Sequence, residues 1–294
     1  DFIAARKLMN EALEIFKDFA DRQKAAYTAG NLAGLEKIFG NFEPASNLLL
    51  EADLIFQKLH DDHAHHYVLG NLGDLDLLLG DLKEAEQNYM NARDFAKRVD
   101  DSELLTECEV RLADIAYYSG NLDEGKKRYI KAIKNAQAIN SIEFYLRAMV
   151  GNTRLNIQLK DFKVALKSLE EMIASVRKHN YILFQHEADF LRGECHRLQD
   201  DISRALECYH DVLYYALSQN VFELIIKSAV RIHEHDHTSH SSVRQVLTKL
   251  RDNHIKHNSL SSWNKVLNSP YFVSFAKTLS IVTVSHNSPA SHTI

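Results

Sequence analysis

The feature that most constrains this chain is a short turn signature that recurs every 40 residues. In most copies a glycine precedes Asn or Asp, and an aromatic or aliphatic residue follows. The copies are Gly40-Asn41-Phe42, Gly80-Asp81-Leu82, Gly120-Asn121-Leu122, Lys160-Asp161-Phe162 and Asp200-Asp201-Ile202. A fixed period of about 20 to 50 residues indicates stacked supersecondary units, because no single unit can bury its apolar face alone. The sequence therefore predicts a repeat protein.

Small residues recur in the same phase on both sides of each turn. The series after the turn is Ala5, Ala45, Ala85, Gly125, Ala165 and Ala205. The series before it is Ala33, Gly73, Ala113, Thr153 and Gly193. Small side chains on both members of a helix pair allow their backbones to approach closely. A second polar position lies half a period away, at Asp100, Asn140, Asn180 and Asn220. We expect these residues to be helix N-caps, so that inner and outer helices alternate about every 20 residues.

This combination of small residues, tight Gly-Asn/Asp turns and Tyr or Leu positions resembles the tetratricopeptide (TPR) repeat. The resemblance implies an all-α fold, a right-handed α-solenoid of antiparallel helix pairs. The usual TPR unit has about 34 residues. A 40-residue unit is similar to the longer variety in TPR adaptors and in TPR sensor domains of regulators. A HEAT or armadillo array is the alternative, and the paired small residues and tight turns favour TPR.

The repeat signature divides the chain into three parts. Residues 1–218 are predicted to hold the repeats, with turns at 40, 80, 120, 160 and 200 and an incomplete first repeat. Because Asp1-Phe2 stand within a repeat, we expect the chain to be part of a longer protein. Residues 219–257 are predicted to form a degenerate capping helix pair. Pro270 is expected to end the helical part, and residues 258–294 to form a C-terminal extension or linker.

Composition argues against several classes of function. A net charge of −5 does not suit direct binding of nucleic acid, which calls for a basic surface. The three cysteines, Cys108, Cys195 and Cys208, are scattered, which favours reduced thiols and a cytoplasmic location. No apolar run approaches the ~18–20 residues of a membrane span, so no membrane association is expected.

The candidate binding residues lie on the inner helices, whose outward positions line the concave groove of a TPR superhelix. They are Tyr27, Asn31, Tyr67, Asn71, Arg111, Arg147 and Arg154. Peptide receptors of the TPR family hold a ligand backbone with Asn at the position of Asn31 and Asn71, and the resemblance carries that role to these two residues. The arginines are candidates for binding a carboxylate. The alternative is that Asn31 and Asn71 serve as caps or inter-repeat contacts and that the arginines pair with acids of the groove.

No catalytic motif is visible, so the chain is not expected to be an enzyme and no cofactor is expected. Two histidine clusters occur, at Asp61–His66 in a predicted inter-repeat loop and at His233–His240. Neither has a recognised metal-site spacing. The H-E-x-x-H pattern of zinc proteases is absent, since Glu234 is followed by His235 and Asp236. We therefore predict no metal site.

Our leading hypothesis is a non-enzymatic protein- or peptide-binding TPR domain. It would serve as the sensor or docking module of a larger cytosolic signalling or regulatory protein, with an extended peptide in the concave groove. A second hypothesis is a small-molecule-responsive regulatory domain that controls an attached effector, such as a transcription regulator. A third is a structural dimerisation arm, with a homodimer formed through the terminal repeats.

Overall fold

The computed structural model describes the backbone of residues 1–284 and the side chains of residues 1–280, and this part of the chain is helical with no strand. The all-α prediction is confirmed. The outer helices are α1 (Phe2–Asp18), α3 (Phe42–Leu59), α5 (Leu82–Arg98), α7 (Leu122–Ala138), α9 (Phe162–His179), α11 (Ile202–Gln219) and α13 (His240–His257). The inner helices are α2 (Arg22–Ile38), α4 (Asp62–Leu79), α6 (Ser102–Tyr118), α8 (Ile142–Gln158), α10 (Ile182–Leu198) and α12 (Phe222–His235).

The inner helices form a layer of their own. Consecutive inner helices from α2 to α10 contact one another across repeats, whereas each outer helix contacts mainly the inner helices on either side of it. The inner layer therefore lines the concave face of an α-solenoid, and the outer layer forms its convex face.

A left-handed residue ends each of the first eleven helices. Within residues 1–284, every residue with a positive φ lies at a multiple of 20, from Ala20 to Asn220. Gly40, Gly80 and Gly120, with φ of 77°, 85° and 81°, lie between the end of an inner helix and the start of an outer helix. Glycine suits these turns because it has no Cβ to clash in the left-handed region.

The half-period polar residues do not have the role predicted for them. Asn140 and Asn180 are left-handed, with φ of 55° and 60°, and follow the end of one helix. The N-cap is the next residue along the chain. Ser141, for example, accepts a hydrogen bond from the backbone N–H of Phe144. The N-cap interpretation was wrong because Asn also tolerates the left-handed conformation, in which its short side chain can bond locally.

The small residues lie at the close helix crossings, as predicted. Ala85 and Ala165 are fully buried. An added Cβ on Gly73 would come within 2.9 Å of the Tyr89 ring, and one on Gly193 within 2.6 Å of the Tyr209 ring. A larger side chain on these inner helices would therefore displace the tyrosine of the following outer helix.

The helical part continues beyond Pro270, contrary to the sequence prediction. Two further helices, α14 (Leu260–Asn268) and α15 (Val273–Val284), flank this proline. Phe272, Phe275 and Leu279 are buried, so the segment after the proline packs on the repeats. The rest of the predicted extension, residues 285–294, lies outside the described residues.

The two ends of the repeat array meet. Asn258 donates to the carbonyl of Gly40 at 3.0 Å and accepts from the backbone N–H of Glu43 at 2.8 Å. Lys265 in α14 lies 2.7 Å from Asp81, in the turn between α4 and α5. The backbone N–H of Phe2 donates to the side chain of Gln219 at 3.3 Å. These contacts, which we call the closure, join residues from the end of α11 onward to the first repeats.

Candidate functional site

The concave face holds two adjoining cavities. The first chamber has a volume of about 560 Å³ and lies between α6, α8 and α10, with the start of α1 at its edge. The second chamber has a volume of about 510 Å³ and lies between α8, α10 and α12. The two share four residues, Val150, Arg154, Glu187 and Tyr271. Of the predicted site residues, Arg111, Arg147 and Arg154 line the first chamber together.

Arg111 is paired with two acids. Its Nη2 donates to Asp74 Oδ2 at 3.0 Å, and its Nη1 lies 3.5 Å from Asp114 Oδ2. Lys37 forms a further ion pair with Asp74. Burial alone would raise the pKa of Asp74, but the charges of Arg111 and Lys37 outweigh it and hold the pKa well below its usual range. Arg111 therefore has a structural role, because the buried carboxylate of Asp74 needs a cation close by.

The groove acids belong to a repeated tyrosine–acid pair. The Tyr129 hydroxyl donates to Asp114 at 2.6 Å. Equivalent hydrogen bonds join Tyr89 to Asp74 and Tyr209 to Glu194. In two repeats without this tyrosine, the positions 15 residues apart hold Leu49 and Gly34 in one and Leu169 and Arg154 in the other. The acid thus occurs in the repeats that have the tyrosine. Its hydrogen bond with that tyrosine joins two helices within the fold.

Arg154 lies among aromatic rings. Its guanidinium donates to the Tyr118 hydroxyl, and its Cζ lies 5.5 Å from the centre of the Tyr117 ring and 5.4 Å from that of Tyr118. Its Nη2 is 3.9 Å from Asp114. A guanidinium over a ring face is attracted by the ring quadrupole, so these contacts hold Arg154 at the boundary between the chambers.

Arg147 is the most accessible of the three arginines. Its side chain is 34 % exposed, compared with 16 % for Arg111 and 20 % for Arg154. Its Nη2 lies 2.8 Å from Glu143 in the same helix, and its Cζ lies 5.8 Å from the centre of the Phe184 ring. A partly exposed pair within one helix contributes little stability and can be exchanged for another partner. Arg147 can therefore receive an anionic group in the first chamber.

The remaining candidates lie on α2 and α4 and line neither chamber. The Tyr27 hydroxyl donates to Asp61 at 2.7 Å. Asn31 is exposed, and the Asn71 amide donates to the carbonyl of Tyr67 at 3.0 Å. The charge of Glu107, together with burial, raises the pKa of Tyr67 to about 12. The groove residues thus fall into an amide-bearing part on α2 and α4 and an arginine-bearing part on α6 and α8.

Sequence reasoning missed Tyr271, which lines both chambers. It lies in the region expected to be an extension or linker. The signal that could have found it is the apolar spacing of Phe272, Phe275 and Leu279 at offsets of 3 and 7, typical of one buried helix face. Glu187 borders the same place, and burial, with a smaller effect of the Glu223 charge, raises the pKa of Glu187 to about 7.

The histidine clusters make contacts between helices. His63 and His66 lie near the start of α4 and not in a loop, contrary to the prediction. His63 pairs with Asp101 at 2.6 Å, and the His66 ring stacks on Phe95 with ring centres 4.0 Å apart. Among the described residues no group of three or more His, Cys, Asp or Glu side chains is arranged to hold a metal ion. None of the described helices has the length and apolar character needed to cross a membrane.

Comparison with known proteins identifies the fold through structure. No family model matches the sequence, and no curated protein matches it. A Rap protein complexed with competence and sporulation factor is similar over 89 % of this chain and 74 % of its own, with a TM-score of 0.66 at 14 % identity. The Rap conjugation gene regulator of plasmid pLS20, in complex with the Phr* peptide, is similar over 90 % of this chain and 78 % of its own. Its TM-score is 0.65 at 12 % identity.

A third similar structure is a signal transduction ATPase with numerous domains and a tetratricopeptide repeat sensor, from Pyrococcus horikoshii. It matches 96 % of this chain and 47 % of its own, with a TM-score of 0.52 at 14 % identity. At these low sequence identities the similarity establishes the fold alone. This chain has the TPR-like helical-repeat fold.

Proposed function

We propose that this chain is a peptide-binding domain whose concave groove holds an extended segment. In this proposal it is the sensor or docking module of a larger cytosolic signalling or regulatory protein. The observation that carries the proposal is the first chamber, where the accessible Arg147 lies beside the apolar side chains of Val150, Leu183 and Phe184. An arginine next to apolar surface suits a segment that presents a carboxylate beside an apolar side chain.

The amide-bearing part of the groove supports an extended ligand. Asn31 is exposed on α2, and Asn71 occupies the same repeat position on α4. A side-chain amide has donors and an acceptor, so a row of amides can bond a peptide backbone without reading its side chains. Two solved structures of similar fold contain a bound factor or peptide, which agrees with this use of the fold.

Binding of labelled eight-residue peptides, followed by fluorescence anisotropy, tests the proposal. For a peptide with a free carboxylate we expect Arg147→Ala to weaken binding by about tenfold or more, because a hydrogen bond to a charged group contributes about 1.5–3 kcal/mol. Asn31→Ala and Asn71→Ala should each cost about 1–2 kcal/mol through unpaired backbone groups of the ligand.

Lys83→Ala is the matched control, because it removes one exposed positive charge from the outer helix α5. Its affinity should equal that of the parent. Raising the salt concentration should weaken the parent more than Arg147→Ala, since only the parent has the charge-assisted contact. If all four variants bind as the parent does, the ligand is not in the groove and the proposal is wrong.

A small-molecule ligand is the second candidate, favoured by one observation. The volume of the first chamber, about 560 Å³, lies within the range of about 300–1,000 Å³ that is usual for small-ligand sites. Truncation of a binding peptide distinguishes the two. An extended-peptide site loses affinity stepwise as residues are removed, whereas a small-ligand site retains it down to the one residue that fills the chamber.

A further inference from the structure

A segment of the chain itself enters the groove between the two chambers. The segment Ser269–Phe272 joins α14 to α15, and its Tyr271 side chain reaches both cavities. Phe272 is fully buried, whereas Tyr271 remains partly exposed. The two side chains therefore differ in role: Phe272 anchors the segment in the core, and Tyr271 projects onto the concave face.

The side chains around Tyr271 form a site that matches a phenol group. We call this site the tyrosine cage, and it consists of Tyr118, Arg154, Glu223 and Lys227. The Tyr271 hydroxyl donates to Glu223 Oε1 at 2.5 Å. The ring centre lies 5.0 Å from that of Tyr118. Lys227 Nζ lies 4.6 Å from the ring centre and Arg154 Cζ lies 6.0 Å from it.

Each wall of the cage recognises a different property of the side chain inside it. The ammonium and guanidinium groups favour an aromatic ring face, and Tyr118 adds a tilted ring contact. Glu223, which is also paired with Lys227, accepts a hydrogen bond that phenylalanine cannot supply. The cage therefore selects tyrosine over an aliphatic side chain strongly, and over phenylalanine by one charge-assisted hydrogen bond.

We propose that the tyrosine cage is a specificity subsite for a tyrosine side chain of the bound peptide, and that Tyr271 occupies it as an internal competitor. This inference rests on the proposed peptide-binding function and names the residue class that the peptide carries. The cage borders the first chamber, where Arg147 lies, so one extended peptide can reach both. Because Tyr271 is tethered next to its site, ligand binding requires it to leave, and the apparent affinity falls by the fraction of molecules in which the cage is open.

The cage is tested by emptying it in the full chain. In Tyr271→Ala we expect N-acetyltyrosinamide to bind with a dissociation constant in the millimolar range or tighter, measured by NMR titration. N-acetylphenylalaninamide should bind several-fold more weakly, and N-acetylalaninamide should not bind. The parent, whose cage is filled by Tyr271, should bind N-acetyltyrosinamide at least about tenfold more weakly than Tyr271→Ala does. Leu260→Ala, an exposed change in α14, is the control and should behave as the parent.

The internal competition is tested with an eight-residue peptide that carries one tyrosine and a free carboxylate. We expect Tyr271→Ala to bind it about tenfold or more tightly than the parent does. Replacing the peptide tyrosine with alanine should abolish that gain. Tyr271→Phe keeps the ring in the cage and should fall between the parent and Tyr271→Ala. It also tests the competition if the alanine variant does not fold.

The outcomes separate this inference from the function on which it rests. If Arg147-dependent peptide binding is observed but the empty cage shows no preference for tyrosine, the inference is wrong and the proposed function stands. Equal peptide affinity of the parent, Tyr271→Phe and Tyr271→Ala would overturn the competition. If no peptide binds to any variant in a manner that depends on Arg147, the proposed function fails and the inference fails with it.

Discussion

Three glycines share one backbone conformation but differ in what lies against them, which allows the closure to be isolated by mutation. Gly40, Gly80 and Gly120 all have positive φ. A Cβ added to Gly40 would come within 2.3 Å of the Phe222 ring, and one added to Gly80 within 2.9 Å of the backbone Cα of Ser269. A Cβ on Gly120 would meet no atom within 4 Å.

The expected losses of stability follow from these distances. Alanine in the left-handed region costs about 1–2 kcal/mol at any of the three positions. Gly120→Ala should show that cost alone. Gly40→Ala should add about 1–3 kcal/mol of overpacking against Phe222 at the start of α12, and Gly80→Ala a similar amount against Ser269 at the end of α14. Each should therefore destabilise by roughly 2–5 kcal/mol in total.

Urea unfolding followed by circular dichroism measures these differences, with Gly120→Ala as the matched control. Limited proteolysis near Asn258 and Lys265 should also become faster in Gly40→Ala and Gly80→Ala, because their clashes push the C-terminal helices away. If the three variants unfold at the same urea concentration, the C-terminal helices do not pack on these turns and the reasoning about the closure is refuted.

Two further predictions concern buried groups. Burial lowers the pKa of His254 to about 4, so His254 is neutral in the folded protein. Because the unfolded chain takes up a proton at His254 below pH 6.5, full stability is present above pH 6.5 and is lost as the pH falls toward 4. We expect the free energy of unfolding to fall by up to about 3 kcal/mol over this range, as measured by urea unfolding at pH 7, 5.5 and 4. His254→Phe should not show this loss, and parallel pH profiles of the two proteins would contradict the prediction. Tyr129→Phe should destabilise by about 1–3 kcal/mol because it removes a hydrogen bond to the buried Asp114. Tyr214→Phe, on an exposed ring, is its control in thermal melts, and equal melting temperatures would show that the tyrosine–acid pair contributes nothing.

The repeat architecture was predictable because it depends on local signals that recur. Glycine at 40, 80 and 120 marks turns through its own backbone freedom, and small residues mark close crossings through their size. The same logic failed at Asn140 and Asn180, because Asn suits both an N-cap and a left-handed C-terminal position. At Asn140 the following Ser141 is the signal that distinguishes the two, whereas Tyr181, which follows Asn180, makes no side-chain cap hydrogen bond.

The candidate site was predictable in part. The seven predicted residues lie on the inner helices α2, α4, α6 and α8, and Arg111, Arg147 and Arg154 line one chamber. Their different surroundings were not predictable from one helix, since the partners of Arg111 lie 37 residues away and at the next turn of its own helix. The apolar spacing of Phe272, Phe275 and Leu279 indicates a buried helix face near Tyr271. That spacing does not by itself place Tyr271 on the groove, because its position there results from the packing of α15 against the repeats.

The closure gives this solenoid two kinds of contact with very different sequence separation. Neighbouring repeats contact over a few tens of residues, whereas the closure joins residues 184, 215, 217 and 218 positions apart. Contacts between distant residues carry a large loop-closure entropy and form slowly unless the intervening chain is already ordered. The repeats should therefore assemble first and bring their ends together last. Weakening the closure would then accelerate unfolding while leaving the folding rate almost unchanged.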